Sequence, residues 1–215
     1  MLQKLKGLAV LFLAAVSSVA SAAVVFNNGA PNAVSGNDAT AWVQTEDFQI
    51  AGGATITGAT VYLAGFNGIG NFDGSLSYSI FSNNGGAPGS VLSSGNALNL
   101  VIADTGGAWC CGGNAFAFNF DINPFAALAN VTYWFGIHAS TNFDRDDIYW
   151  VSTAANGTST GFESSGGTFN NWFGNGQEHA FSLQGNTDGV VPEPGSLALI
   201  GLGLAGLYGA RRRRN

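Results

Sequence analysis

Ser75 to Phe81 reads Ser-Leu-Ser-Tyr-Ser-Ile-Phe, with Leu76, Tyr78 and Ile80 at every second position and serines between them. Ala115 to Ile122 repeats the period through Phe116, Phe118, Phe120 and Ile122. A period of two is the signature of a pleated strand, whose successive side chains point to opposite faces. Between its two ends the chain shows no strong period of 3.6, so the body is expected to be built from half-buried strands with one wet face. Thr55 to Phe66 is rich in β-branched residues and alternates through Ala59, Val61 and Leu63. Ala41–Ile50, Val91–Ala103, Val131–Ala139, Ile148–Ser152 and His179–Leu183 supply the other candidate strands. Gly/Asn/Pro/Ser clusters such as Asn83-Asn84-Gly85-Gly86-Ala87-Pro88-Gly89 lie between them as loop signals. About eight strands at this spacing predict an all-β fold, an antiparallel β-sandwich, with a jelly roll among the arrangements open to it.

A glycine count of 32 and a charged fraction of 9% would suit a low-complexity chain. A hydrophobic fraction of 46%, with 16 Phe and 5 Trp, does not, because it is enough apolar material to build a core.

Both ends read as processing segments. Lys4 and Lys6 precede an apolar stretch from Leu8 to Val16, and Ala20-Ser21-Ala22 is a small-residue cleavage site. Residues 1–22 are therefore expected to be a signal peptide, read by the Sec translocon and removed by signal peptidase. At the other end, Gly195–Ala210 contains no charge over 16 residues. As a helix this stretch would measure about 24 Å, short of the roughly 30 Å of a bilayer core. Pro192 and Pro194 bracket Glu193 upstream, and Arg211, Arg212, Arg213 and Arg214 follow downstream. The prolines hold Glu193 in an extended, accessible segment. The arginines are expected to stay on the cytoplasmic side, which leaves the body outside the inner membrane.

Val191-Pro192-Glu193-Pro194, the short apolar span and the arginine cluster together resemble the PEP-CTERM sorting signal. The resemblance covers residues 191–215. It implies recognition by an exosortase, a membrane-embedded cysteine protease or transpeptidase. It further implies transient anchoring in the inner membrane by a single transmembrane helix, then tail removal and delivery to the cell surface or exopolysaccharide matrix of a Gram-negative bacterium. The body, residues 23–190, also resembles β-sandwich domains found ahead of such tails. The features that carry this are the Asn83–Gly89 segment, Thr132-Tyr133-Trp134-Phe135 and Ile148-Tyr149-Trp150. That second resemblance brings no activity with it.

Removing the ends changes the charge. Of seven basic residues only Arg145 lies in the body, against twelve of the thirteen acids, which leaves a formal −11 and no lysine. Such a surface is unsuited to nucleic acid, whose phosphates require basic partners. Neutral glycans and divalent cations remain compatible.

Cys110 and Cys111 are adjacent within Gly106–Gly113. Export to an oxidising compartment permits a disulfide between them, and free or intermolecular thiols stand as the alternative. Trp109 and Trp172 lie in Gly/Asn-rich surroundings and are candidate glycan contacts, with burial at the ends of the sandwich as the alternative. Asp144, Asp146 and Asp147 form the densest acidic cluster and could place oxygens around Ca²⁺; they lack EF-hand spacing, Arg145 sits among them as a neutralising charge, and a solvated loop is the alternative. His138 and His179 fall in no catalytic motif, and neither do Glu163 and Glu178, the carboxylates that a glycosidase would need to pair. The expectation is a non-enzymatic structural or adhesive surface protein without cofactor or metal, associated with exopolysaccharide. The alternative is a carbohydrate-binding module that uses loop tryptophans.

Overall fold

A computed structural model describes residues 22–66, 68–156 and 160–187. The signal segment, the sorting tail and the transmembrane helix expected within it lie outside these residues. Thirteen strands are present among the described residues: β1 (Ala23–Asn27), β2 (Gly36–Asp38), β3 (Trp42–Gln49), β4 (Ala54–Gly65), β5 (Ser77–Asn84), β6 (Ala87–Asn96), β7 (Leu98–Ala108), β8 (Asn114–Ala127), β9 (Thr132–His138), β10 (Ile148–Val151), β11 (Phe162–Ser165), β12 (Phe173–Gly174) and β13 (Phe181–Thr187). Among the described residues no helix is long and apolar enough to cross a membrane.

Every pairing between named strands is antiparallel, and the strands form two sheets. The first is organised on β4. Its one edge pairs with β8 over Ala54–Leu63, and β8 in turn carries β7. Its other edge takes β13 over Ala54–Val61 and then β10 over Leu63–Gly65. β1 lies beyond β13 and β2 beyond β10. The second sheet runs β12-β11-β3-β9-β5-β6.

The sheets close on one apolar core. Ile56, Val61, Leu63, Phe118, Phe120, Ile122, Trp150 and Phe181 come from the first sheet, and Phe48, Tyr78, Ile80, Tyr133, Phe135 and Ile137 from the second. The two halves meet where Phe135 stacks on Phe181 with ring centroids 5.6 Å apart. The inward-facing phase of β4 runs Ala54, Ile56, then Ala59, Val61, Leu63. A bulge between Ile56 and Gly58 supplies the extra residue that resets the alternation.

Three local expectations change. The Val91–Ala103 candidate is two strands: the chain leaves the second sheet at Ala97, which donates its N–H to Leu76 O at 2.8 Å, and enters the first. The Asn83–Gly89 loop shrinks to a two-residue turn at Gly85-Gly86. Both have positive φ, of 63° and 92°, which glycine adopts without strain and which matches the twist of a hairpin. Finally, the outer face of β5 is not wet throughout. Leu76, Tyr78 and Ile80 face inward as their period requires, but Ser79 and Phe81 on the opposite face are also buried. The β11–β12 connection folds over Phe81, where Phe169 and Trp172 meet its ring edge-on with centroids 5.2 and 5.1 Å away.

Candidate functional site

Val191, Pro192, Glu193, Pro194 and the arginines Arg211 to Arg214 lie outside the described residues, so the sorting motif is read from sequence alone. The other predicted site residues fall in four places, at the hairpin tip, in the acidic loop, inside the core and along a groove.

Cys110 and Cys111 form a disulfide at the tip of the β7–β8 hairpin, with Cα atoms 3.8 Å apart, and both residues are exposed. Their neighbour Trp109 turns the other way. It packs with Ala64, Ala115 and Val151 on the outer face of the first sheet, keeps 5% of its surface exposed, and donates its indole N–H to Ser35 O at 3.3 Å. Phe66 and Tyr149 lie against its ring at 5.5 and 5.2 Å. No face of that indole is left for a sugar ring, so Trp109 is corrected from a glycan contact to a core residue.

The acidic loop is a hydrogen-bonded structure of its own. Arg145 Nε lies 3.1 Å from Asp38 Oδ2 and 3.7 Å from Asp147 Oδ1. Tyr149 donates its hydroxyl to Asp147, and Ser140 donates to Asp146. Among the described residues no three His, Cys, Asp or Glu side chains converge as a metal site.

Inside the sandwich is a polar cluster that sequence reading passed over. On β3, Gln44 and Glu46 are in phase with Phe48 and face the core, and both are fully buried. Glu46 Oε2 accepts the backbone N–H of His179 at 2.8 Å and lies 3.0 Å from His179 Nδ1. The His179 ring, also fully buried, stacks on Trp150 at 4.7 Å, with its Nε2 3.2 Å from Asn37 Oδ1. Gln44 reaches Asp38 O, Glu163 and Asn175. Burial, which disfavours charge, pushes Glu46 up to about 9 and His179 down to about 3. Glu46 is thus protonated and His179 neutral across the neutral range, and the pair carries no net charge. Burial, and then the neighbouring Glu46, raise Glu178 to about 7. This cluster pins β3 of one sheet to the β2 and β13 side of the other. The sequence signal for it was the phase itself: a glutamate two residues before Phe48 on the inward side of a strand.

Trp172 is half-buried and lies at the surface of the second sheet. Its ring is parallel to that of Phe169, 7° apart with centroids 6.3 Å apart, and both cover Phe81. A concavity of about 450 Å³ lies beside them, against Ser82, Asn83, Asn84, Ser90 and Asn170. A second, of about 470 Å³, adjoins it across Phe169 and is lined by Ser75, Ser77, Asn96, His138, Thr141 and Phe143 among others. His138 is held by Phe143, stacked at 4.1 Å, and by Thr40 O at 2.7 Å from its Nε2. Burial lowers its pKa, which keeps it neutral. Neither concavity is lined by a charged side chain. Both sizes fall in the range of small-ligand sites.

Residues 190–214 match the family model of the PEP-CTERM protein-sorting motif. No curated protein and no solved structure matches the chain. The motif match covers the Pro-Glu-Pro segment, the uncharged span and the four arginines. The chain therefore carries a PEP-CTERM signal behind a β-sandwich ectodomain. It is an exosortase-targeted surface protein, exported and anchored transiently in the membrane before sorting.

Proposed function

We propose that the body between the signal peptide and the tail, residues 23–190, is a non-catalytic structural or adhesive module that associates with exopolysaccharide. The Sec translocon and signal peptidase deliver it across the inner membrane of a Gram-negative bacterium, and exosortase cleavage near Glu193 frees it to the surface or matrix. The observation that carries the adhesive reading is the division of the polar side chains. The titratable pair Glu46–His179 is sealed in the core, whereas the concavities open at the surface offer hydroxyls, amides and aromatic rings without charge. Sealed groups serve the fold, and a neutral amphipathic surface serves contact. Glu163 and Glu178 act in this reading as partners of Gln44 and Asn28 and not as an acid–base pair.

The test is fractionation of the producing cells. The processed protein should co-sediment with the exopolysaccharide and appear free in the medium when polysaccharide synthesis is deleted. Equal distribution in both strains would remove the matrix role. A second reading, a carbohydrate-binding module, is favoured at Trp172 by the concavity beside that ring, and not at Trp109.

A further inference from the structure

We propose that the two concavities flanking Phe169 form one continuous groove that holds an extended, uncharged polysaccharide chain. This rests on the adhesive reading and names its ligand.

Aromatic side chains cover the outer face of the second sheet. Trp134 and Phe81 are fully buried there. Phe162 closes edge-on over Trp134 at 5.2 Å, and the β11–β12 connection brings Phe169 and Trp172 over Phe81. The coverage is incomplete. Space remains on one side of the connection, toward the β5–β6 hairpin, and on the other, toward β3 and Phe143. Phe169 lines both spaces, so a ligand long enough to occupy both would cross the connection at that ring.

The lining selects the chemistry. Ser75, Ser77, Ser82, Ser90, Thr141 and the amides of Asn84, Asn96 and Asn170 present donors and acceptors side by side. That mixture suits a ligand whose own groups are hydroxyls, each able to donate and accept. Phe143, Phe169 and Trp172 add aromatic faces, whose negative quadrupole attracts the C–H face of a sugar ring. Trp172 contributes a further feature. Its indole Nε1–H is buried and has no hydrogen-bond partner among the described residues. Buried donors are ordinarily satisfied, and a ligand oxygen reached by a small ring movement would satisfy this one. A peptide would demand apolar side-chain pockets on both sides of Phe169, whereas apolar lining is found mainly on one, at Val43 and Phe143, and the other is walled largely by serines and asparagines. An anionic chain is opposed by a body of formal charge −11.

The experiment uses the processed protein recovered from the producing cells. It is run on native gels cast with the strain's own neutral polysaccharide fraction, with galactomannan, or with alginate as the anionic control. Trp172→Ala should cut the retardation in the neutral gels at least tenfold. The double variant Asn84→Ala/Asn170→Ala changes only exposed positions and should cut it several-fold without altering the fold. Phe143→Ala should weaken it from the far end of the groove. Phe66→Ala, at an exposed aromatic on the other sheet, should leave it unchanged. Retardation that survives the Trp172 and Asn84/Asn170 variants overturns the groove while the adhesive reading stands. Alginate retardation equal to the neutral gels overturns the ligand class. No retardation by any polysaccharide overturns both the groove and the reading beneath it.

Discussion

Replacing Glu46 by Gln tests whether the core holds a protonated carboxyl. Glutamine copies the shape of neutral glutamic acid and cannot ionise. In the folded protein burial raises Glu46 to about 9 from its ordinary value of 4.5. A raised carboxyl contributes stability that is complete below the unfolded pKa and is lost as pH climbs toward the folded one. Wild-type stability should therefore fall relative to Glu46→Gln by about 1.4 kcal/mol for each pH unit between those limits. Between pH 6 and pH 8 the gap should widen by about 3 kcal/mol in the variant's favour. His179 works in the opposite sense. Lowered to about 3 from 6.5, it gives stability that is complete above the unfolded value and lost as pH falls. Glu178, raised to about 7, adds a second loss between its unfolded value and about 7. Together the three groups place the wild-type optimum near pH 4.5, with a decline on either side. The assay is urea denaturation followed by tryptophan fluorescence at each pH unit from 4 to 9. Parallel wild-type and variant profiles, with a gap constant to within about 0.5 kcal/mol, would refute a neutral Glu46.

Other consequences are local. A Cβ on Gly136 would stand 3.0 Å from both Phe81 Cε2 and Thr45 Cγ2, so Gly136→Ala should cost about 1–3 kcal/mol by overpacking, read as a lower urea midpoint. Trp150 is fully buried and donates its indole N–H to Ala180 O at 2.9 Å, so Trp150→Ala should cost about 3–5 kcal/mol. The Cys110–Cys111 bridge closes off almost no chain, because the residues are adjacent, so its reduction should release little. The melting temperature should move by less than about 2 °C, and a larger fall would show that the hairpin tip supports the fold. Replacing Pro192, Glu193 and Pro194 by alanine should trap the uncut chain in the inner-membrane fraction on immunoblots, whereas normal release would break the link between motif and processing.

How much of this could be read in advance depended on range. The pleat period is local, and it placed Leu76, Tyr78 and Ile80 on the inward face correctly. What lay over the opposite face was not local. Phe81 is covered by Phe169 and Trp172 from a connection some ninety residues on, and no spacing within β5 announces that cover. The same limit separates the two candidate tryptophans. Trp109 and Trp172 sit in similar glycine-rich surroundings, yet Trp109 found Tyr149 and Phe66 and was sealed, while Trp172 stayed at a groove. The short strands β2, β11 and β12 hold two to four residues each, too few for a period to register. Glu46 was legible in principle, since its phase with Phe48 put a carboxylate on the core side. The tail needed no fold at all, because its motif, span and charges are contiguous.

The most direct test of the account is the C-terminus of the protein recovered from the cell surface, mapped by mass spectrometry of its terminal peptides. The mature chain should end at or before Pro194, with no peptide from Gly195–Ala210 or the arginine cluster. Recovery of surface protein that still ends at Asn215 would contradict it.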